Sequence, residues 1–359
     1  MRSQQSIIAI DARLVVGTHT GDSTYWTGLV QALATIPHEF QILLFGNHPR
    51  PKGVPECFEW FHLNSKSSRW WSLVTFPRAA RKAGARAIHT QYSLSPLVGR
   101  RGITTIHDVS FFIGPEWFQP RDRFILRSTI PASVRRASRV ITVSESSRAE
   151  IERFIPAGAG KIAVTPLAAP DWIQKIPSEE AKRQVRSIGI EGPILLTVGT
   201  RWPRKNMELA IQAADLLPKA IPHKLVVTGK QGWGTNELGT RGVATGYVSN
   251  EMLSCLYSAA QLYVAPSRHE GFGLPLLEAF RCGCPVLCST GGAFPEVAGD
   301  AALIEQSWEP EHWSASIERL LRDASTLDDL RRRGYEREKQ FTWQECACRT
   351  LEVYREVAS

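Results

Sequence analysis

The sequence predicts an α/β protein made of two doubly wound domains, each built on a parallel sheet. Three observations carry this. At 359 residues the chain exceeds the size at which one hydrophobic core usually stops growing. Short β-branched runs alternate with stretches of helical apolar periodicity, the pattern of strands joined by crossover helices. The alternation halts across residues 168–192, a stretch with prolines, charges and no strong periodicity, and then restarts. The expected domains are therefore 1–172 and a second one beginning at 173.

The elements follow in order. Ile7 to Ile10 is a β-branched run ending in Asp11, as buried parallel strands often end. A loop containing Gly17 and Gly21 follows. Asp22 or Ser23 is then placed to cap a helix through Leu29, Leu33 and Ala34. Ile42–Phe45, Ile103–Ile106 and Val140–Val143 read as further strands, the last followed by a helix near Ser146. In the second half, Ile194–Val198, Lys224–Thr228, Gln261–Ala265 and Pro285–Cys288 read the same way. Strands of open α/β sheets bind ligands at their carboxyl ends. Two such domains facing each other would bring two sets of strand ends to one cleft.

Composition narrows the class. A hydrophobic share of 43% with 22% charged residues suits a globular core and argues against a disordered chain. No apolar run reaches the roughly 20 residues of a spanning helix. The seven cysteines include no C-x-x-C pair and no zinc-like spacing, so they read as small buried hydrophobes in a reducing cytoplasm. The net charge of +8 is uneven: residues 1–170 hold 21 Lys and Arg against 11 Asp and Glu. An excess confined to the first half suggests an anionic partner there.

Missing motifs narrow it further. No G-x-G-x-x-G follows the first strand, which counts against a dinucleotide oxidoreductase. Gly158-Ala159-Gly160-Lys161 lacks the upstream glycine and following hydroxyl of a P-loop and reads as a turn. There is no D-x-D to bridge a diphosphate through a metal.

The chemistry concentrates in Arg268-His269-Glu270-Gly271-Phe272-Gly273-Leu274-Pro275-Leu276-Leu277-Glu278-Ala279. Gly271 and Gly273 allow a backbone path strained for other residues. Pro275 suits the first turn of a helix. The helix N-terminus, with its free N–H groups and positive dipole end, favours a diphosphate. Glu270 in the loop and Glu278 a turn inside the helix can each accept hydrogen bonds from a vicinal diol.

In its context this segment resembles glycosyltransferase family 4, the retaining enzymes of GT-B fold. Glu270 and Glu278 occupy the positions of the family's E-x7-E signature, and Pro295 to Ala302 those of its P-E-V-x-G-D-A-A tail. Val198-Gly199-Thr200-Arg201-Trp202-Pro203-Arg204-Lys205-Asn206 resembles its basic diphosphate clamp, with Arg204 and Lys205 as the clamping cations. Thr104 to Asp108 resembles the strand whose histidine, here His107, reaches the transferred sugar. Ile10 to Arg13 and Thr20-Gly21 through Tyr25 resemble the first strand and the phosphate-facing glycine loop. That loop departs from the family: Ser23 stands where a second glycine is common, and Asp22 adds a negative charge. Val143 to Ser147 matches a landmark of structural role. Residues 342–359 resemble the closing helix that crosses back to the first domain.

The resemblance implies a hexosyl transfer with retention, needing no metal or other cofactor, from a nucleotide-sugar donor expected to be GDP-mannose, with a UDP-sugar as the alternative. Glu270 would hold the sugar hydroxyls and Glu278 the ribose. Gly21, Gly199, Gly271, Phe272, Gly273 and Leu274 would line the donor, and Arg204 and Lys205 would stabilise the leaving phosphate. The leaving phosphate would help deprotonate the acceptor, a glycan or lipid-linked glycan of surface-polysaccharide synthesis. Two aromatic-basic stretches, Arg69-Trp70-Trp71 with Arg78, Arg81, Lys82 and Arg86, and Phe111-Phe112 with Trp117, Phe118, Arg121, Arg123 and Arg127, suit an anionic membrane interface. The expected place is the cytoplasm, with the inner membrane face as a candidate attachment. No nucleic-acid module is recognised. A nucleotide-sugar 2-epimerase and a non-catalytic sugar-nucleotide-binding protein are the alternatives.

Overall fold

The computed structural model describes residues 5–15, 20–234 and 237–359. It divides into two compact units, Met1–Leu167 with Thr342–Ser359, and Ala168–Phe341.

Unit 1 carries a parallel sheet of seven strands: β1 Ile7–Asp11, β2 Gln41–Gly46, β3 Glu59–His62, β4 Ala87–Gln91, β5 Gly102–Thr105, β6 Arg139–Thr142 and β7 Ile162–Val164. Their order is β3-β2-β1-β4-β5-β6-β7. Unit 2 has six more: β8 Ile194–Val198, β9 Lys224–Thr228, β10 Gly242–Gly246, β11 Leu262–Ala265, β12 Val286–Ser289 and β13 Leu303–Glu305. Their order is β10-β9-β8-β11-β12-β13, again all parallel. The chain reverses its direction of growth beside β1 in unit 1 and beside β8 in unit 2. Ligands of such sheets lie at the carboxyl ends of the strands flanking that reversal. In unit 2 these ends lead into Gly199–Lys205 and Ser267–Gly273; in unit 1 they lead into the segment before Gly21 and into Tyr92.

Each unit has its own core. Ala9, Leu43, Ile88, Ile106 and Val140 line one with Trp71 and Phe76. Leu195, Leu225, Leu262, Val264 and Leu287 line the other with Trp313. At about 25 cal/mol per Å² of apolar surface removed from water, each fully buried Leu, Ile, Val or Phe among them contributes about 1.5–3 kcal/mol.

The eight strands expected from sequence are present, within a residue or so at their ends. Five others were not expected. β3, β7, β10 and β13 lie at or next to sheet margins and are short or poor in β-branched residues. β4 is central, yet its sequence Ala-Ile-His-Thr-Gln is polar. Tertiary partners satisfy it: His89, fully buried, bonds Tyr354 Oη through Nδ1 and Thr105 Oγ1 through Nε2, each at 2.8 Å. Two further expectations are corrected. The first helix, Gly21–Leu33, is capped by Thr20, whose hydroxyl accepts from Ser23 N–H, and not by Asp22 or Ser23. The stretch 168–192 contains a helix, Ser178–Ser187, whose buried Ala181 and Val185 stand four residues apart on one face of an otherwise polar segment.

Candidate functional site

The loop after β8 begins at Gly199, whose φ is 140°. A Cβ there would sit 3.2 Å from Lys205 Cε, so the lysine side chain runs back over the glycine. Residues Pro203–Lys205 form a single 3-10 turn. The turn is tied to the loop after β11 by Arg268 N–H donating to Arg204 O at 2.8 Å. This brings three charges together. Lys205 Nζ donates to Glu270 Oε1 at 2.6 Å, and Arg204 Nη1 donates to Glu270 Oε2 at 3.1 Å. Arg204 Nη1 also donates to the carbonyl of His269.

All three charged groups are largely buried. Burial alone would raise the Glu270 carboxyl, but Lys205 and Arg204 outweigh it and hold it at about 2. The cluster carries two cations and one anion, so it enters any ligand complex with a positive excess. It also shows that neither cation awaits a phosphate alone: Glu270 holds both in place.

Beyond Glu270 the chain turns through Gly273, φ 106°, into the helix Leu274–Cys282. Among the described residues this is the left-handed position of the loop; the expectation of a second at Gly271 is not met. A Cβ on Gly273 would also lie 2.9 Å from the Phe294 ring. Phe272 turns inward and meets Phe341 edge-on at 5.6 Å. Its backbone, and that of Gly271 to Leu274, is what remains for a ligand. Pro275 occupies the first helical turn.

Glu278 is buried in that helix and accepts from Tyr257 Oη at 2.9 Å. Burial pushes its carboxyl up to about 7, against the opposing pull of the Tyr257 hydroxyl and Lys205. The two carboxylates of one signature thus differ sharply. Glu270 is a permanent anion, whereas Glu278 titrates near neutrality.

Sequence reasoning missed the support for Glu270. A Cβ on Gly292, whose φ is 62°, would lie 2.3 Å from Glu270 O, and one on Gly291 would lie 2.3 Å from Ser267 O. Ala293 N–H donates to Glu270 O at 2.9 Å, and Ser289 Oγ bonds the Ser267 carbonyl. The paired glycines after β12 were the available signal. Tyr257 gave none, since nothing in its own helix marks it.

In unit 1, His107 follows β5, nearly buried. Its carbonyl accepts from Ser147 Oγ at 2.8 Å, which gives the Val143–Ser147 landmark its structural role. Asp108 accepts from Ser110 N–H and Oγ and so starts the next helical turn. Gly21 opens the first helix with free space around its missing Cβ, so nothing among the described residues demands glycine there. Gly17 lies outside the described residues. The aromatic-basic stretches are partly core: Trp71 is buried and donates to Asp11 Oδ1 at 3.1 Å, and Phe111 is buried as well. Trp70, Leu73, Ile113 and Phe124 are exposed. No helix among the described residues is long and apolar enough to cross a membrane.

Comparison with known proteins identifies the family. Residues 178–337 match the family Glycosyl transferases group 1, and residues 19–169 match Glycosyltransferase Family 4. The chain is 38% identical over 269 residues to the O-antigen chain mannosyltransferase B of Escherichia coli, covering 71% of this chain and 70% of that protein. It is 27% identical to the O-antigen chain mannosyltransferase RfbU of Salmonella typhimurium, covering 70% and 69%. Among solved structures it resembles the sucrose-phosphate synthase of Thermosynechococcus elongatus, with TM-score 0.75 and 22% identity over 98% of this chain and 99% of that one, a likeness of fold. The chain therefore belongs to glycosyltransferase family 4, with the paired parallel sheets of its GT-B fold.

Proposed function

We propose that this protein transfers mannose, with retention, from GDP-mannose to a glycan or lipid-linked glycan acceptor in surface-polysaccharide assembly. The observation that supports it most is the buried Arg204–Lys205–Glu270 cluster beside the N-terminus of the helix Leu274–Cys282. Two cations and a helix N-terminus suit a departing diphosphate, and they supply positive charge without a metal. Glu270, already ionised, suits the sugar hydroxyls, and Glu278 suits the ribose diol. His107 in unit 1 would meet the transferred sugar. Mannose is favoured by the names of the two relatives above. The exposed Trp70, Leu73 and Phe124, near in sequence to exposed Arg69, Arg78, Arg121 and Arg127, support an anionic membrane surface as the place of work.

The test is direct. Purified protein is incubated with GDP-mannose, UDP-glucose or UDP-galactose, with and without EDTA, and with lipid-linked glycan extracted from a surface-polysaccharide mutant. The expected result is acceptor-dependent release of GDP, unaffected by EDTA, with an α-linked mannose in the product. Release of a free epimerised sugar nucleotide would point to the epimerase instead. Absence of turnover with every donor would end the transferase reading.

A further inference from the structure

His107 stands just past the carboxyl end of β5, the neighbour of β4, which with β1 flanks the reversal of strand order. Its imidazole is clasped by two rings. Tyr25 meets it edge-on at 5.0 Å and Tyr92 at 5.8 Å. Behind Tyr25 runs a buried relay: Tyr25 Oη to Thr105 Oγ1, Thr105 to His89, and His89 to Tyr354. The ring is therefore fixed on two sides and at its backbone. Its Nε2 is buried and has no hydrogen-bond partner among the described residues. The Asp22 carboxylate lies 3.6 Å from that atom, on the first turn of the first helix.

Asp22 is 40% exposed, so as a helix-start acid it would contribute little to stability. That role needs no particular neighbour. Tyr92 shows that this one is arranged. Its φ of 60° is unusual for a bulky residue, and such strain gathers at functional sites. In this conformation the Tyr92 ring lies against His107 and its hydroxyl reaches Asp22 Oδ1 at 3.5 Å.

A neutral imidazole carries its proton on whichever nitrogen faces an acceptor. A carboxylate is acceptor-only, so Nε2 faces a group that rewards a proton there. Burial keeps the ring neutral by lowering its pKa, while Asp22 and Asp108 pull the other way. We infer that Asp22 is a positioning residue for His107: its carboxylate holds the Nε2 proton and leaves Nδ1 as the acceptor for a hydroxyl of the transferred sugar. The 3.6 Å separation is loose for a hydrogen bond, as such contacts often are before substrate tightens them. The inference rests on His107 as the sugar-facing residue. It gives a purpose to the charge by which this loop departs from the family's glycine pattern.

The test uses the full chain with GDP-mannose as donor and GDP as the binding probe, comparing wild type with Asp22→Asn, Asp22→Ala, Asp22→Glu and His107→Ala. Asp22→Ala should lose kcat on the order of tenfold or more, with GDP affinity and melting temperature kept. Among the described residues the titratable groups packed around His107 are Asp22, Asp108, Tyr25 and Tyr92. Of these, Asp22 and Asp108 raise its pKa, so removing the Asp22 charge must move the acidic limb of the kcat profile to lower pH. Asp22→Asn should show the same move even if Asp22→Ala folds poorly, and Asp22→Glu should recover part of the rate. An unchanged rate and profile in both Asp22→Asn and Asp22→Ala would overturn the inference while leaving the transferase reading intact. So would a rate loss with an unmoved acidic limb and no recovery in Asp22→Glu, which would make Asp22 structural. A fully active His107→Ala, or a wild type that turns over no nucleotide sugar, would remove the ground on which the inference stands.

Discussion

At the scale of residues, Glu270 and Glu278 share one motif and have opposite electrostatics. Glu270 is held at about 2 by Lys205 and Arg204 despite its burial. Its folded pKa lies below the unfolded value, so its stabilisation is present above about pH 4.5 and is lost as pH falls towards 2. Removing it leaves two buried cations without their shared carboxylate. Breaking such a pair costs about 3–5 kcal/mol. Glu270→Ala should therefore melt on the order of 10 °C lower, and millimolar pyrophosphate should recover more of that loss than it adds to wild type. Calorimetry checks both; a variant that melts like wild type would mean that the cluster contributes nothing. Glu278 has the reverse sign. Its folded pKa of about 7 exceeds the unfolded value, so its contribution is full below about pH 4.5 and is lost as pH rises through 7, on the order of 3 kcal/mol. A ribose diol donating to this carboxylate would favour its ionised form. GDP should then bind more tightly from pH 6 to 8 in wild type, and Glu278→Gln should lose that part of the dependence, as titration calorimetry would show.

At the scale of elements, the loop after β12 acts as a backstop for the loop after β11. Gly292 sits at φ 62° with its missing Cβ 2.3 Å from the Glu270 carbonyl. Gly292→Ala meets both a backbone penalty of more than about 1 kcal/mol and a clash that only moving Glu270 can relieve. It should lower stability in urea and reduce transfer together. Gly21→Ala is the contrast: the surrounding space is open and φ is ordinary for a helix, so stability should hold or rise slightly. Any loss of donor affinity in Gly21→Ala would then report contact with ligand, and unchanged affinity would remove Gly21 from the donor site. The same loops show what was legible beforehand. Glu270, Glu278, Arg204 and Lys205 could be picked out because a motif and a strand-end position coincide. That Glu270, Arg204 and Lys205 meet in one buried ion cluster was not legible, because it depends on partners 65 and 66 positions apart being folded together. β4 was unreadable for a similar reason: a histidine in a central strand is acceptable only once Tyr354, 265 residues away, satisfies it.

At the scale of the whole molecule, unit 1 is discontinuous. It takes Thr342–Ser359 from beyond unit 2. The helix Trp343–Ala358 is bound by specific means. Trp343 lies where a Cβ on Gly28 would come within 2.2 Å of its ring, so a glycine makes room for an indole. Tyr354 bonds His89 beneath, and Arg355 pairs with Glu39 at 2.7 Å. Of these, the exposed pair adds little, about 0–1 kcal/mol, whereas truncating a buried Trp costs about 3–5 kcal/mol. Unit 2 has a separate core containing none of these residues. Two perturbations should therefore act on different parts of the melting curve. Trp343→Ala should lower the transition of unit 1 and leave that of unit 2 in place. Saturating GDP, acting through the cluster at Arg204 and Lys205, should raise the transition of unit 2, by the linkage that stabilises whichever fold binds ligand. Hydrogen exchange read by mass spectrometry separates them by peptide: protection should fall around β4 and Gly28 in the variant, and rise around Gly199–Lys205 and Glu270 with GDP. If both perturbations instead shift one common transition with equal protection changes in both units, the cores melt as one and the independence argued from their separate residues is wrong.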